Sequence, residues 1–373
     1  MSKSLRIAAF LLLAATMVFV GCAREEEAIK IGVAGPHSGD LASFGIPTVH
    51  AAELVTQNVN AEGGVLGRQI ELVIEDDQCQ PEIATNTASR LIAEEVVAVI
   101  GHICSGATRP ALGLYTDAEI PAISPSATNP ALTQDEEFPY FFRTIAPDDA
   151  QGQLQAEFVG EVLEAESVVI LHDGGDYGRG LAGYAETALQ ENYPQVEILF
   201  TEGITVGAVD YSAIINRIAA SGAEVVIFGG YHPEASRLVG QMRTQGLDTQ
   251  FVSGDGVRDN AFIEVAGEDA EGVYATGPRD TAGNPIANQA TEEHVEEYGE
   301  EPGPLFQEGY SAMLALVGAL EAAGSTEPEA IVEALRSEQF DTAVGTIGFD
   351  GIGDATGVGF AIYQVQDGVY VEI

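Results

Sequence analysis

Cys104 and Ser105 stand side by side in IGHICSGATRP, residues 100–110, on a glycine-flanked turn after an apolar run. The pair has three chemical uses: nucleophile, metal ligand, or polar edge of a binding site. A nucleophilic thiol needs a helper histidine and an activating environment, and a metal site needs ligands at recurring spacings. The histidines, at 37, 50, 102, 172, 232 and 294, are scattered. The sequence contains no paired-His motif or Walker loop, and GPHSG has the wrong spacing for a hydrolase elbow. His102, His172 and His232 each follow an apolar run, where acid–base or metal chemistry competes with the role of a hydrogen-bonded loop residue. Asp173, Asp176 and Asp255 could form a carboxylate pair of the glycosidase kind, which demands a set separation. DGGDYG, DGVRDN and DGIGD lack the terminal Glu of a full calcium loop.

A binding role uses more of these residues. Ser105 opens a predicted helix, whose free N–H groups and dipole favour an anion such as a carboxylate. SPSAT, residues 124–128, puts the Ser126 carbonyl and the Thr128 hydroxyl on the neighbouring loop, where they can hold an ammonium. Asp255, from the second half of the chain, can neutralise that ammonium. Phe44, Tyr177 and Tyr231 lie at further strand ends and could cover an apolar side chain. Helix capping by Ser105 and Thr128, and plain packing by the tyrosines, are the alternatives. The set describes a zwitterion with an apolar tail.

The elements that must position these groups follow from the hydrophobic period. AIKIGVAG, QIELVIEDD, VVAVIGH and IPAISPS read as strands, separated by amphipathic stretches that read as helices. This is a βαβ series, hence a parallel sheet covered on both faces. The pattern restarts after residue 147, with SVVILHD, QVEILFTE, EVVIFGG and QFVSGDG as strands. After 279 it changes to helices, then to closing strands near 345–350 and 359–366. Two similar α/β units make two lobes, and the polar loops at their strand ends face a common crevice.

Composition bounds the partners. The 373 residues suffice for two domains, and 15 Lys+Arg against 58 Asp+Glu give a net charge of −43. Such a field repels phosphate backbones, so nucleic acid is excluded as a partner; a solvated surface suited to high salt is its ordinary meaning. The first 22 residues read as a leader. MSKSLR carries two cations, IAAFLLLAATMVFV is too short to span a bilayer comfortably, and FVGC ends in Cys22 like a lipoprotein processing box. Phe19 departs from the usual leucine there, and an ordinary signal peptide cut nearby is the alternative. Export to the cell envelope follows either way. Cys79 and Cys104 are then left, 25 positions apart, and read as a disulfide of an oxidising compartment.

Taken together, DDQCQP, GHICSGATRP, SPSATNP, HDGGDYGRGLA, GGYHPE and GDGV resemble the leucine/isoleucine/valine-binding protein family of ABC importers, from about residue 28 to the end. The resemblance implies an α/β type I periplasmic binding protein fold, two Rossmann-like lobes with parallel sheets joined by a three-strand hinge. It implies lobe boundaries of 27–147 plus 279–361 and 148–278 plus 362–373. It pairs Cys79 with Cys104 and assigns Ser105 and Thr128 to the α-carboxylate and α-ammonium, with the Ser126 carbonyl as backbone acceptor. Tyr177, Tyr231 and Ile103 match second-lobe aromatics and an apolar wall, and Ala127 and Phe306 belong to the same set. Phe44 stands where tyrosine is common, Leu305 where phenylalanine is, and Asp255 where glutamate pairs with the ammonium. The implied protein is no enzyme and takes no cofactor or metal. It is a monomer, anchored by lipid at Cys22, that delivers an amino acid to permease subunits. A sensing module on the same fold, or a binder of amides or aromatic acids, are the competing functions.

Overall fold

The computed structural model describes residues 27–373. The leader and Cys22 lie outside the described residues. Five parallel strands form the first sheet: β1 (Ile29–Gly35), β2 (Ile70–Asp76), β3 (Ala98–Ile100), β4 (Ala122–Ser124) and β5 (Phe141–Arg143), in the order β2-β1-β3-β4-β5. A second sheet contains β6 (Ser167–His172), β7 (Glu197–Gly203), β8 (Val225–Gly229), β9 (Gln250–Ser253) and β10 (Tyr274–Pro278). Between β10 and the next strand of that sheet come β11 (Phe340–Thr342), β12 (Gly345–Phe349) and β13 (Ala355–Thr356), a small antiparallel sheet. β14 (Phe360–Gln366) and β15 (Val369–Glu372) then complete the second sheet, in the order β15-β14-β10-β9-β8-β6-β7.

Alternation explains why both sheets are covered on two faces. Val169, Leu171, Val226 and Phe228 bury themselves in one core, while their neighbours Val168, Ile170, Val225 and Ile227 bury themselves in another on the opposite face. Successive strand residues point to opposite sides, so a continuous apolar run demands helices on both. In the first sheet Ile29, Ile31 and Val33 face the helix Phe306–Ala323 through Met313, Leu316 and Leu320. Each such side chain contributes about 1.5–3 kcal/mol on burial.

The chain passes from the first sheet to the second after β5, returns after β10 and crosses again between β13 and β14. One departure from an all-parallel pair of sheets is local. β14 and β15 run antiparallel to their neighbours. A two-residue turn, Asp367 and Gly368 with φ of 51° and 76°, joins them, and so short a link returns the chain antiparallel.

Candidate functional site

The strand ends β3 and β4 are neighbours, so the loops after them lie side by side. At Gly101, φ is +123°, and a Cβ there would strike the Ala34 carbonyl, so only glycine lets the loop leave β3 this close to β1. Cys104 is extended at φ −80°, ψ 131°, and Ser105 opens the helix Ser105–Asp117. A disulfide joins Cys104 to Cys79, with Cα atoms 5.5 Å apart. Asp77 braces that staple. Its Oδ1 accepts the Cys79 N–H at 2.7 Å, and its Oδ2 lies 2.6 Å from His102 Nδ1. His102 Nε2 meets the Tyr115 hydroxyl at 2.9 Å, so both ring nitrogens are occupied and His102 is a loop brace.

The second loop is built on Ser124, a residue that sequence reasoning missed. Its hydroxyl donates to the His102 carbonyl at 2.5 Å and accepts from Ser126 N and Ala127 N. Ser105 Oγ accepts the Asn129 N–H at 3.2 Å, which ties the two loops together. The Ala127 carbonyl accepts from the buried Arg143 at 3.1 Å, so Ala127 shapes the loop through its backbone. The Thr128 hydroxyl is buried without a hydrogen-bond partner among the described residues.

From the second sheet come Tyr177, Tyr231 and Asp255. Tyr177 lies in the first turn of the helix Asp176–Asn192, and its hydroxyl donates to Asp255 Oδ1 at 2.9 Å while accepting the Gly256 N–H at 3.0 Å. Gln151 Nε2 donates to the same Oδ1 at 2.8 Å. Oδ2 of Asp255 keeps no protein partner among the described residues. Burial pushes the Asp255 carboxyl above the usual range, and the bonds from Gln151 and Tyr177 pull it back. Burial also raises the Tyr177 and Tyr231 hydroxyls, so both stay neutral donors.

Phe44, Ile103 and Leu305 form one buried apolar cluster with Ile145, Ala146 and Phe360, and Tyr231 packs against it. The Phe44 and Tyr231 rings are 6.3 Å apart, edge to face. Leu305 sits at φ 64°, just before the helix Phe306–Ala323. Phe306, one residue on, is turned into the first sheet's core against His294, with ring centroids 4.9 Å apart, and does not join the cluster. A cavity of about 830 Å³ opens outward from the two loops, lined by Leu41, the disulfide, Arg109, Tyr177 and Tyr231.

The catalytic alternatives find no assembly. Asp173 Oδ1 accepts the Gly175 N–H at 2.8 Å, Asp176 lies 3.4 Å from Arg109, and Asp255 is held by Tyr177 and Gln151, so the three carboxylates have separate partners. Burial raises Asp173 to about 6. His172 and His232 lie in separate surroundings, against Gly203 and against Ser43 with Asp259. Among the described residues no group of three or more His, Cys, Asp or Glu is arranged to hold a metal ion. The arrangement sets a helix N-terminus at Ser105 and the unpartnered Thr128 hydroxyl on one sheet, and an open carboxylate oxygen of Asp255 on the other.

Both halves touch across the gap. Asn129 Nδ2 donates to the Asp176 carbonyl at 2.7 Å, and Ser43 Oγ donates to Asp259. Sequence reasoning missed Gln151 and Asp148, whose only signal is the DDAQGQ spacing at the start of the helix Asp148–Glu157.

The family model for periplasmic binding proteins matches residues 28–369. A leucine-, isoleucine-, valine-, threonine- and alanine-binding protein of Pseudomonas aeruginosa is 34% identical over 93% of this chain and 92% of its own length. A Leu/Ile/Val-binding protein of Escherichia coli is 33% identical over 91% of each chain. Among solved structures, a leucine-binding protein from Thermotoga maritima superposes with a TM-score of 0.86 at 30% identity, over 93% of this chain and 98% of that one. A branched-chain amino acid transporter's substrate-binding protein from Streptococcus pneumoniae, in complex with isoleucine, gives 0.82 at 28%, over 93% and 100%.

Proposed function

The chain belongs to the periplasmic binding protein family, and we propose that it captures a branched-chain or similar apolar α-amino acid between its two sheets and delivers it to the permease subunits of an ABC importer. One observation carries the reading. The open Oδ2 of Asp255 stands with the hydroxyls of Ser105 and Thr128 and the apolar cluster of Phe44, Ile103 and Leu305. The helix start at Ser105 suits the α-carboxylate. Thr128, the Ser126 carbonyl and Asp255 suit the α-ammonium, and the cluster with Tyr231 suits a branched side chain. The names of the relatives support this ligand class. We place the mature protein in the periplasm or cell envelope as a monomer, tethered through a lipid on Cys22, its acidic surface suited to high salt.

Thermal denaturation over a panel of amino acids, short amides and aromatic acids tests the reading. A ligand that binds only the folded state at about 100 times its Kd adds about 2.7 kcal/mol and raises Tm. Leucine, isoleucine or valine should give the largest rise. A rise with an amide or an aromatic acid, and none with any α-amino acid, rejects the assignment.

A further inference from the structure

We propose that His294 is a positioning residue for the apolar wall of the cleft: its Nδ1–H holds the Glu300 carbonyl, its ring holds Phe306, and Leu305 is fixed between them as part of the wall that receives the ligand's side chain. The inference rests on the cleft reading above and deepens it by one residue, which itself touches no ligand. Leu305 does not hold its own place. Its φ of 64° is a left-handed conformation, which a residue with a Cβ adopts at a cost, yet it is packed into the cluster with Phe44 and Ile103. The segment before it, residues 300–304, belongs to no helix or strand. Pro302 and Pro304 have no N–H to donate. Among the described residues that segment makes one hydrogen bond, between His294 Nδ1 and the Glu300 carbonyl at 2.9 Å.

The surroundings of His294 leave its ring one orientation. The residue is buried on the helix Pro285–Tyr298. A carbonyl oxygen only accepts, so the Glu300 bond puts a proton on Nδ1. Nε2 then accepts from His50 Nδ1, 3.0 Å away on the helix Ala42–Ala61. The His50 ring is stacked on Tyr298 with centroids 3.7 Å apart, and the Tyr298 hydroxyl donates to Glu53 Oε2 at 2.8 Å. Turning the His294 ring over would break both of its bonds at once.

His294 therefore meets the chain on both sides of Leu305: Glu300 through Nδ1, and Phe306 edge to face, with ring centroids 4.9 Å apart. Gly303, between those two contacts, lies against the Pro47 ring, so the segment is also backed by the helix that carries Phe44. Ser105, Thr128 and Asp255, the groups proposed for the α-carboxylate and α-ammonium, belong to other elements. Loosening His294 should thus be felt by the part of the ligand that reaches Leu305, and not by the part that every α-amino acid shares. A buried histidine with both nitrogens paired is also an ordinary core residue. Ligand selectivity separates the two roles.

The test compares two substitutions and two ligands. Asparagine at 294 keeps an N–H where Nδ1 stands, whereas phenylalanine keeps a ring and loses the donor. By titration calorimetry, His294→Phe should weaken L-leucine about fivefold or more, the scale of one lost hydrogen bond, and the shorter L-valine by no more than about twofold. His294→Asn should stay within about twofold of the parent for both. Parent-like leucine binding by His294→Phe, a loss shared equally by leucine and valine, or a His294→Asn as weak as His294→Phe overturns the role. Nuclear magnetic resonance of the ligand-free protein supplies two further readouts. Nitrogen–proton correlation in the parent should show a proton on His294 Nδ1, and an unprotonated Nδ1 overturns the proposal. The Leu305 methyl resonances should move in His294→Phe and return in His294→Asn, and resonances unmoved by His294→Phe overturn it too. Should His294→Phe not fold, the Nδ1 proton of the parent and leucine binding by His294→Asn still decide. A parent that binds neither leucine nor valine rejects the proposed ligand class, while the resonance spectra still decide what His294 holds.

Discussion

Replacing Asp255 by asparagine tests the charge logic of the cleft with little disturbance to the fold. Asparagine keeps an oxygen where Oδ1 accepts from Tyr177 and Gln151, so the supporting bonds at 2.9 and 2.8 Å survive. What changes is the group presented to the ligand, an amide in place of the free Oδ2. A hydrogen bond to a charged group contributes about 1.5–3 kcal/mol, and an ammonium left without its anion in a closed site costs about 3–5 kcal/mol. On the proposed reading the Thr128 hydroxyl and the Ser126 carbonyl still receive the ammonium, which holds the loss toward the lower range. The expected weakening is therefore about tenfold to 150-fold, or about 1.4–3 kcal/mol. Titration calorimetry with L-leucine, L-isoleucine and L-valine measures it directly, and an uncharged amide of similar shape should bind both proteins alike. Equal affinity of Asp255→Asn and the parent for all three amino acids would refute the ammonium assignment.

Three further outcomes are expected. Removing the disulfide with Cys79→Ala and Cys104→Ala should cost about 3.5 kcal/mol from the 25-residue closure, seen in urea melts, with ligand affinity nearly unchanged; a matching loss of affinity would show that the staple acts on the site itself. Glu308 is buried and raised to about 7 from an ordinary 4.5, so the folded state binds its proton more tightly than the unfolded chain. Ligand-free stability should fall by about 3 kcal/mol as pH rises through that window, and Glu308→Gln should flatten the profile; a profile unchanged by that substitution rejects Glu308 as its source. Small-angle scattering should show a smaller radius of gyration with leucine than without it, since Asn129–Asp176 and Ser43–Asp259 join the two halves; an unchanged radius argues for a site on one half.

How much of this was legible in the sequence depended on the distance over which each residue acts. The covered sheets were legible because Val168 to Leu171 and Val225 to Phe228 are apolar on every position, and that pattern is local. That the loops carrying Ser105 and Thr128 are neighbours was legible at one remove, since consecutive strands of a βαβ series lie side by side and so do the loops that follow them. Phe306 shows the limit of carrying a site forward by position. Leu305 lies outside the helix in a left-handed conformation and packs in the cleft cluster, whereas Phe306, the first helical residue, packs into the first sheet's core. The antiparallel edge had a local signal in the Asp367–Gly368 turn, which a search for parallel repeats passes over. Gln151 had none of comparable strength. It meets Asp255 across 104 residues because the chain crosses to the second sheet just before it, and because Gly152 lets its helix approach the next one, where a Cβ would come 2.7 Å from Ala185 N. Polar residues just past a crossover acquire their roles from partners far along the chain on the sheet they have crossed to. A substitution there is therefore expected to change ligand choice more than its place at the start of an ordinary helix suggests.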